Sequence, residues 1–550
     1  MLIFMVKKKR VVVKYILIRG VRVMEKEFNI TGTCIPEMHY MVDISNKLDK
    51  VFKLVQKGKY FVINRPRQYG KTTTLYMLER ELNKNEEYLV CSISFEGVGD
   101  LIFEEEHCFV RAFLEIIADS LYLQHEDLAS FLEEEKKNVV TFKDLSKAIT
   151  KFIIKVNKKV VLMIDEVDKS SNNQLFLSFL GMLRNKYLLR NAGKDKTFHS
   201  VILAGVRDVK SLKIKIRPDE EHKYNSPWNI ASDFDVDMSF FKEEIETMLD
   251  EYVKDKGVQL DKEYFAERLY FYTSGYPFLV SKLCKIIDEK IMPEGKLKWK
   301  KEYMDMAVKK ILEESNTNFD SLIKNIENNN KLKEMVKDLI IDGNKISYNM
   351  NNPIINTGML YGIFKNEDNN LKINNRIYEQ IIYDYMSSLI ETSTDVGFYN
   401  EKSNFIREDG NLDVKKVLLK FQQFMKHEYS EKRKGFLEAD GRLLFLAFIS
   451  PIINGTGFAF KEVQGGEEKR FDIVITYNKK MYILELKVWH GEEYHKKGLM
   501  QLGEYLEQYG LSEGYLLIFD FRESKGETGK IDEVNVKIGD NEKKIVEAYC

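Results

Sequence analysis

The sequence predicts an α/β protein, with a parallel sheet in its N-terminal half and a separate α/β unit at its C-terminal end. Short apolar runs alternate with helical patterns between residues 46 and 290, as in parallel sheets that are covered by helices on both faces. A polar stretch at 391–411 has the composition of a linker. Strand and helix patterns resume from residue 412, which predicts a new unit there.

Composition limits the class of protein. The 550 residues are too many for one ordinary core, and a domain size of roughly 150 residues predicts three or four units. Lysine and arginine number 85 against 86 acidic residues, so overall charge gives no support to nucleic-acid binding, and any basic surface is local. The five cysteines show neither zinc-site spacing nor a disulfide framework, which fits a reducing, cytoplasmic setting.

The first residues of the chain are basic and apolar. Their apolar runs are short and no small-residue cleavage site follows, so we expect neither a signal peptide nor a membrane span. No other apolar run approaches the roughly 18–20 residues that a membrane helix needs. A more ordinary sequence begins at Met24, and we therefore expect Met24 to be the true start and 1–23 to be a doubtful leader.

The spacing of apolar residues predicts the individual elements. In the N-terminal half these are a helix at 46–57, a strand at 60–64, a helix at 72–82, a strand at 89–95, helix over about 107–155, a strand at 159–164, further helix, a strand at 200–206 and helices at 240–290. Residues 301–390 are rich in Asn and Lys and predict short helices with a hairpin near 362–373, a small winged-helix-like region. In the last unit, helices precede strands at 458–463, 470–477, 481–489 and 515–521, with a helix at 496–509.

A candidate phosphate-binding loop, Arg65-Pro-Arg-Gln-Tyr-Gly-Lys-Thr, joins a predicted strand to a predicted helix. Backbone N–H groups at a positive helix start suit phosphate oxygens. Lys71 would bring charge to the β- and γ-phosphates of ATP, and Thr72 would offer a hydroxyl to Mg²⁺. Arg65 stands where the usual motif has its first glycine. The candidate nucleotide-binding residues are Arg65, Pro66, Arg67, Gln68, Tyr69, Gly70, Lys71, Thr72, Thr73 and Asp165.

A second motif favours this interpretation over a chance Gly-Lys-Thr at a helix start. The apolar run Val160–Ile164 ends in Asp165 and Glu166. Because the carboxyl ends of parallel strands meet at one edge of a sheet, we expect Asp165 beside the phosphate-binding loop. There Asp165 would hold Mg²⁺ through water, and Glu166 would polarise the attacking water.

These motifs, together with Thr273-Ser-Gly-Tyr-Pro-Phe-Leu, resemble the AAA-like ATPases of bacteria and archaea, close to the STAND and archaeal-ATPase branch. In that branch an Arg-Pro-Arg opening replaces the first glycine. The resemblance covers roughly residues 30–300 and implies a P-loop ASCE ATPase core at 24–235 with a helical lid at 236–300. It also implies that the Gly275 segment belongs to the lid near the nucleotide. Arg207 lies about where a sensor residue would be, although a solvent-exposed loop arginine is an equal alternative.

A second group of candidate residues lies in a predicted β-hairpin. An even-length loop centred on Asn478-Lys479 pairs residues whose numbers sum to 957, so that Asp472 faces Glu485 and Lys487 shares their face. Two facing carboxylates repel one another unless a cation lies between them. The pattern therefore predicts a Mg²⁺ site of Asp472 and Glu485 for phosphodiester hydrolysis, in which Lys487 positions or deprotonates a water. A plain cross-strand charge pattern is the alternative.

The hairpin resembles that of the PD-(D/E)xK nuclease superfamily. The resemblance covers about 412–525, and the stretch is similar to the nuclease-like domain appended to bacterial AAA-like ATPases. It implies a restriction-endonuclease-like α/β domain at 412–550, and it adds Glu438 on the preceding helix and Gln501 on the following helix as catalytic candidates. Many members of the superfamily are degenerate, so an inactive nuclease-like domain is the alternative to one that cleaves. His490 and His495 are interpreted as surface histidines.

The first functional interpretation is an ATPase coupled to a metal-dependent nuclease-like domain that acts on DNA or RNA. The second is a nucleotide-switched interaction protein whose nuclease-like domain is an inactive docking module. A P-loop kinase is a weaker third, because no small-molecule acceptor site is indicated. We expect a bacterial, cytoplasmic protein with ATP and Mg²⁺ as cofactors and no membrane association. A protein partner or a homo-oligomer is compatible with these interpretations.

Overall fold

A computed structural model describes residues 3–8, 11–18, 21–167, 174–206, 228, 230–293, 295–340, 346–393, 405–428, 438–453, 457–464, 470–478, 480–520, 531–539 and 541–550. The chain forms two compact units. The first unit comprises 1–322, 349–365 and 374–376, and the second comprises 323–348, 366–373 and 377–550. The candidate sensor Arg207 and most of the predicted linker, 394–404, lie outside the described residues.

The helices and strands as far as residue 322 are β1 (Ile3–Lys8), β2 (Val11–Ile18), β3 (Val21–Met24), α1 (Ser45–Gln56), β4 (Tyr60–Asn64), α2 (Lys71–Leu82), β5 (Tyr88–Ser94), α3 (Glu106–Leu121), α4 (Glu126–Lys136), α5 (Phe142–Val156), β6 (Lys159–Asp165), α6 (Gln174–Asn191), β7 (Ser200–Gly205), α7 (Lys242–Lys256), α8 (Lys262–Thr273), α9 (Pro277–Ile286), α10 (Glu302–Glu313) and the beginning of α11 (Thr317–Glu327). Those that follow are α12 (Asn330–Ile340), α13 (Pro353–Leu360), β8 (Phe364–Glu367), β9 (Asn370–Ile373), α14 (Arg376–Ser393), α15 (Val414–Glu428), α16 (Glu438–Ile453), β10 (Gly457–Gln464), β11 (Arg470–Tyr477), β12 (Lys480–Val488), α17 (Glu492–Gln508), β13 (Glu513–Phe519), β14 (Ile531–Ile538) and β15 (Asn541–Tyr549).

A four-stranded parallel sheet lies at the centre of the first unit. Its strand order is β4-β7-β6-β5, so β7 separates the strand before the phosphate-binding loop from the strand that ends in Asp165. Every residue of β7 is buried, and so is every residue of β6 except Lys159. Strands without a solvent face are typical of parallel sheets covered by helices. The prediction of an α/β fold with a parallel sheet is therefore confirmed.

The helices of this unit follow from local sequence. Thr141 and Asp144 form a capping box at the start of α5, in which each side chain accepts a hydrogen bond from the other residue's backbone N–H. Asp261 caps α8 through the backbone N–H of Tyr264. Apolar faces of α3, α5 and α6 pack with β5 and β6 into one buried cluster. None of the described helices has the length and apolar character that crossing a membrane requires.

The second unit contains a six-stranded mixed sheet in the order β10-β11-β12-β13-β15-β14. β11 and β12 form the predicted hairpin, and its observed pairs Ile473–Leu484 and Thr476–Met481 confirm the predicted register. β12, β13 and β15 run parallel to one another. The hairpin of β8 and β9 is also confirmed. The apolar pattern predicts neither β14 nor β15, and it predicts no strand in the segment that forms the antiparallel sheet β1-β2-β3.

Candidate functional site

The phosphate-binding loop turns directly into α2. Gly70 precedes the helix with φ 75°, a left-handed conformation that glycine adopts without strain. Lys71 is buried, and its ammonium group donates hydrogen bonds to the carbonyl oxygens of Arg65 at 3.1 Å and Pro66 at 3.0 Å. The loop thus curls around the ammonium group at the positive end of the helix.

Thr72 and Asp165 meet at the carboxyl edge of the parallel sheet. The Thr72 hydroxyl donates to Asp165 Oδ2 at 2.6 Å, and Asp165 Oδ1 accepts from the Glu166 backbone N–H at 2.9 Å. Asp165 is only 7% exposed. A hydroxyl and a buried carboxylate are hard oxygen donors of the kind that Mg²⁺ prefers. The two groups therefore fit a magnesium site beside the loop.

Glu166 follows Asp165 at the end of β6. Its φ of 52° lies in the left-handed region, which is unfavourable for a residue with a side chain. Such strain persists where the surrounding structure imposes it, and it recurs at functional sites. The chain thus changes direction at the residue that the sequence predicts to polarise water.

The Arg65 side chain bonds to the backbone around the loop. Its guanidinium group donates to the carbonyl oxygens of Asn64 at 2.9 Å and Val236 at 2.8 Å, and it lies 5.3 Å from the centroid of the Phe234 ring. Burial lowers the pKa of Arg65. These contacts tie the Arg65 side chain to the backbone at the start of the loop and to the segment at Val236.

Residues distant in the sequence hold the middle of the loop. Gln68 has φ 56°, and its side-chain oxygen accepts a hydrogen bond from Asn318 Nδ2 at 2.8 Å. The Tyr69 hydroxyl is 2.7 Å from Ser239 Oγ. The hydrogen bond from Asn318 therefore holds the side chain of Gln68, whose backbone is in the left-handed conformation.

The Gly275 segment also contacts the loop. The Tyr276 hydroxyl donates to the Arg67 carbonyl oxygen at 2.5 Å. A Cβ at Gly275 would lie 2.0 Å from the Phe240 carbonyl oxygen, and φ there is 71°, so only glycine fits. Pro66 approaches Gly362 so closely that a Cβ at Gly362 would lie 2.7 Å from it.

A cavity of about 330 Å³ opens beside the loop. Gln68, Gly70 and Thr73 form one wall, and Thr73 Oγ1 accepts a hydrogen bond from the Cys34 backbone N–H at 3.0 Å. The other lining residues are mostly apolar and include Ile30, Val42, Val51, Met248 and Phe278. An apolar cavity with a few polar groups is typical of a small-molecule site.

The second group of candidate residues meets at one end of the β11–β12 hairpin. Asp472 Oδ2 accepts from the Leu486 backbone N–H at 2.9 Å, and Glu485 Oε1 lies 2.9 Å from Lys487 Nζ. Glu485 is 1% exposed, and its Oε2 atom is buried and has no hydrogen-bond partner among the residues that the structure describes. Burial, followed by the nearby charge of Asp472, raises the pKa of Glu485 to about 7.

Sequence reasoning did not identify Arg442 as part of this group. Its guanidinium group lies 3.5 Å from Asp472 Oδ1, and the residue is 9% exposed. Glu438 begins the same helix, α16, but its side chain lies outside the described part of the structure. Arg442 follows Glu438 by four residues, and that spacing places two residues on one helix face. The four-residue spacing from Glu438 is therefore the feature of the sequence that could have identified Arg442 as part of the group.

The remaining candidates lie on or near α17. Gln501 donates through Nε2 to the Tyr505 hydroxyl at 2.6 Å. The interpretation of His495 as a surface histidine is wrong, because its side chain is only 15% exposed and Nε2 lies 2.6 Å from Glu547 Oε1. Glu547 belongs to β15, a strand that the sequence analysis did not predict. His490 is exposed, as expected.

Comparison with protein families gives one match, to the model described as "AAA-like domain", over residues 38–384. Comparison with curated proteins gives no match.

Several solved structures are similar to this chain at low identity. The Walker-type ATPase PABY2304 of Pyrococcus abyssi is 11% identical, with 64% of this chain and 99% of that chain covered and a TM-score of 0.41. The Aeropyrum pernix ORC2 protein in its ADPNP-ADP complexes is 11% identical, with 66% and 98% covered and a TM-score of 0.36. The Thermotoga maritima RuvB Holliday junction branch migration motor is 12% identical, with 64% and 98% covered and a TM-score of 0.34.

Proposed function

The chain belongs to the AAA-like domain family, and on that premise we propose that its first unit binds and hydrolyses ATP with Mg²⁺. One observation carries the proposal. The Thr72 hydroxyl and the Asp165 carboxylate meet at 2.6 Å, at the start of the helix that bears Lys71.

The loop and the cavity support a mode of binding. The backbone N–H groups at the start of α2 bind phosphate oxygens. Lys71 exchanges its carbonyl partners, Arg65 and Pro66, for the β- and γ-phosphates. The adenine ring occupies the apolar cavity beside Gly70 and Thr73.

Hydrolysis depends on Thr72 and Lys71 at the start of α2 and on Asp165 and Glu166 at the end of β6. Thr72 and Asp165 are the residues that would hold Mg²⁺, which supplies positive charge to the β- and γ-phosphate oxygens. Glu166 accepts a hydrogen bond from the attacking water and so directs its oxygen at the γ-phosphorus. Lys71 stabilises the negative charge that develops on the γ-phosphate oxygens.

Substitutions at the loop and at the strand end test this proposal. We expect Lys71→Ala to abolish ATP binding, and Glu166→Gln to retain ATP binding but lower turnover by about 100-fold, the scale of one acid–base group. Lys84→Ala is the matched control, because Lys84 lies just beyond the far end of the same helix and is 71% exposed. Turnover in Lys71→Ala equal to that of Lys84→Ala would refute the assignment.

We propose a second function for the second unit, metal-dependent hydrolysis of a nucleic-acid phosphodiester. The observation in its favour is the buried Oε2 of Glu485, which lies near the Asp472 carboxylate and accepts no hydrogen bond from any part of the chain that the structure describes. A buried carboxylate oxygen without a donor is costly. A divalent cation held by Asp472 and Glu485 would remove that cost, so the donor set fits a metal.

Chemistry at this site is divided among its side chains. Asp472 and Glu485 would hold a divalent ion, which lowers the pKa of a bound water and neutralises phosphate charge. Lys487 positions the attacking water or accepts a proton from it. Arg442, beside Asp472, supplies a planar cation of the type that binds phosphate oxygens. Gln501 orients the substrate or the water.

A cleavage assay on single- and double-stranded DNA and RNA, with and without Mg²⁺ or Mn²⁺, tests this second proposal. We expect Lys487→Ala to lower metal-dependent cleavage by at least about 100-fold. Lys480→Ala is the control, because Lys480 is an exposed lysine of the same strand. Cleavage that persists in Lys487→Ala would remove the assignment. Absence of cleavage in the wild type would favour an inactive docking module under nucleotide control.

A further inference from the structure

Polar residues also lie on a third strand beside the nuclease-like site. β13 pairs with both of its neighbours in register, which aligns Glu485 of β12, Leu516 of β13 and Glu547 of β15 in one row. The next row on the same face aligns Lys487, Ile518 and Tyr549. Directly paired residues share a face of a sheet. Glu547 therefore emerges on the same face as Glu485, two strands away.

Glu547 is a buried carboxylate that is paired with a histidine. It is 3% exposed, and His495 Nε2 lies 2.6 Å from its Oε1 atom. The imidazole lies 5.4 Å from the Trp489 ring and 6.4 Å from the Tyr549 ring, measured between centroids. A hydrogen bond to a buried carboxylate fixes the orientation of the ring and leaves Nδ1 as its second polar atom.

Helix α17 packs on the face of the sheet that bears Glu485 and Glu547, and it brings His495 to the end of the sheet where Lys487 lies. Leu499 and Leu502 of α17 pack in one cluster with Leu516 and Ile518, the residues between the two polar groups. One turn after His495, Gly498 lies over the Lys487 side chain, where a Cβ would be 3.6 Å from Lys487 Cγ. Strands in a sheet are about 4.8 Å apart, so β12 and β15 are separated by about 10 Å.

We propose that His495, held by Glu547, binds a phosphate group that flanks the one cleaved at Asp472, Glu485 and Lys487. This inference rests on the proposed nuclease function and assigns it a substrate class, a nucleic-acid strand that runs across the carboxyl ends of β12, β13 and β15. A separation of about 10 Å between β12 and β15 places His495 at a different phosphate of the strand from the one that is cleaved. An imidazolium ring has two N–H donors, so one can go from Nε2 to Glu547 and the other from Nδ1 to a phosphate oxygen.

His495→Gln tests the contact without leaving Glu547 unpartnered, because an amide also donates a hydrogen bond. Anisotropy of a labelled single-stranded oligonucleotide, measured in EDTA so that no cleavage occurs, gives the affinity and its salt dependence. We expect the affinity to fall by about 10-fold, the lower range for a hydrogen bond to a charged group. The slope of log K against log salt should fall by about 0.7, the value for one phosphate on a single strand. In Mg²⁺, KM should rise with little change in kcat.

His490→Gln is the matched control, since His490 is an exposed histidine just before the same helix, and we expect it to bind as the wild type does. Equal affinity and equal salt slope in the wild type and His495→Gln, with wild-type cleavage intact, would overturn the inference and leave the nuclease proposal standing. Weaker binding with an unchanged salt slope would also overturn it, because it would indicate a structural role. A wild type that neither binds nor cleaves nucleic acid would overturn both proposals.

Discussion

Replacing Glu485 with Gln should stabilise the second unit in the absence of metal, although it removes a proposed metal ligand. Burial and the charge of Asp472 raise the pKa of Glu485 from 4.5 to about 7. At about 1.4 kcal/mol per unit, the ionised carboxylate costs the folded state about 3 kcal/mol. That cost is already net of the favourable interaction with Lys487, which lowers the pKa of Glu485 and which the variant loses. The expected gain at pH 8 is therefore at most about 3 kcal/mol.

The sign of the pH dependence follows from the raised pKa. The protonated carboxyl group stabilises the folded state below pH 4.5, and this contribution is lost as the pH rises through about 7. We expect the metal-free wild type to lose stability between pH 5 and pH 8 and Glu485→Gln to lose less. Scanning calorimetry in EDTA measures this, with the exposed Glu493→Gln as control. A variant less stable than the wild type at pH 8, or with an unchanged pH dependence, would refute the reasoning.

Three further predictions concern the nucleotide site. Gly275→Ala should destabilise the first unit by at least about 2 kcal/mol, measured by thermal unfolding, because the new Cβ meets the Phe240 carbonyl oxygen and φ is positive; unchanged stability would contradict the observed close approach. Ser281→Trp should fill part of the cavity and weaken ATP and ADP binding equally, by about 10-fold or more, in calorimetric titration; undiminished binding would place the base elsewhere. Thr72→Ala should weaken ATP binding in Mg²⁺ and Thr72→Ser should restore it, since only the serine keeps the hydroxyl; equal binding by the two variants would exclude that group as a metal ligand.

Local sequence was sufficient for the elements around each site. The period of apolar residues gave the strand before Arg65 and the strand that ends in Asp165, because buried parallel strands are short apolar runs. The register of the β11–β12 hairpin followed from loop length alone, since a two-residue loop leaves one way to pair the strands. The sequence alone therefore predicts that Asp472 and Glu485 lie opposite each other on neighbouring strands.

Contacts between distant segments could not be predicted in this way. Asn318 contacts Gln68 from 250 positions away, and the Tyr276 hydroxyl contacts Arg67 from 209 positions away. No local pattern encodes such pairs, because they arise from the tertiary packing of helices. The prediction of an exposed His495 was wrong for the same reason, because its partner Glu547 lies on β15. Charged and apolar residues do not alternate strictly along β15, so the sequence pattern did not predict that strand.

The most direct test of the account is a crystal structure with a non-hydrolysable ATP analogue and Mn²⁺, in which the anomalous signal locates the metal. We expect the triphosphate on the backbone between Pro66 and Thr72, with Lys71 turned from the loop carbonyls to the phosphates. We also expect one Mn²⁺ bonded directly to Thr72 Oγ1 and linked to Asp165. A nucleotide bound away from this loop, or a metal that contacts neither residue, would contradict it.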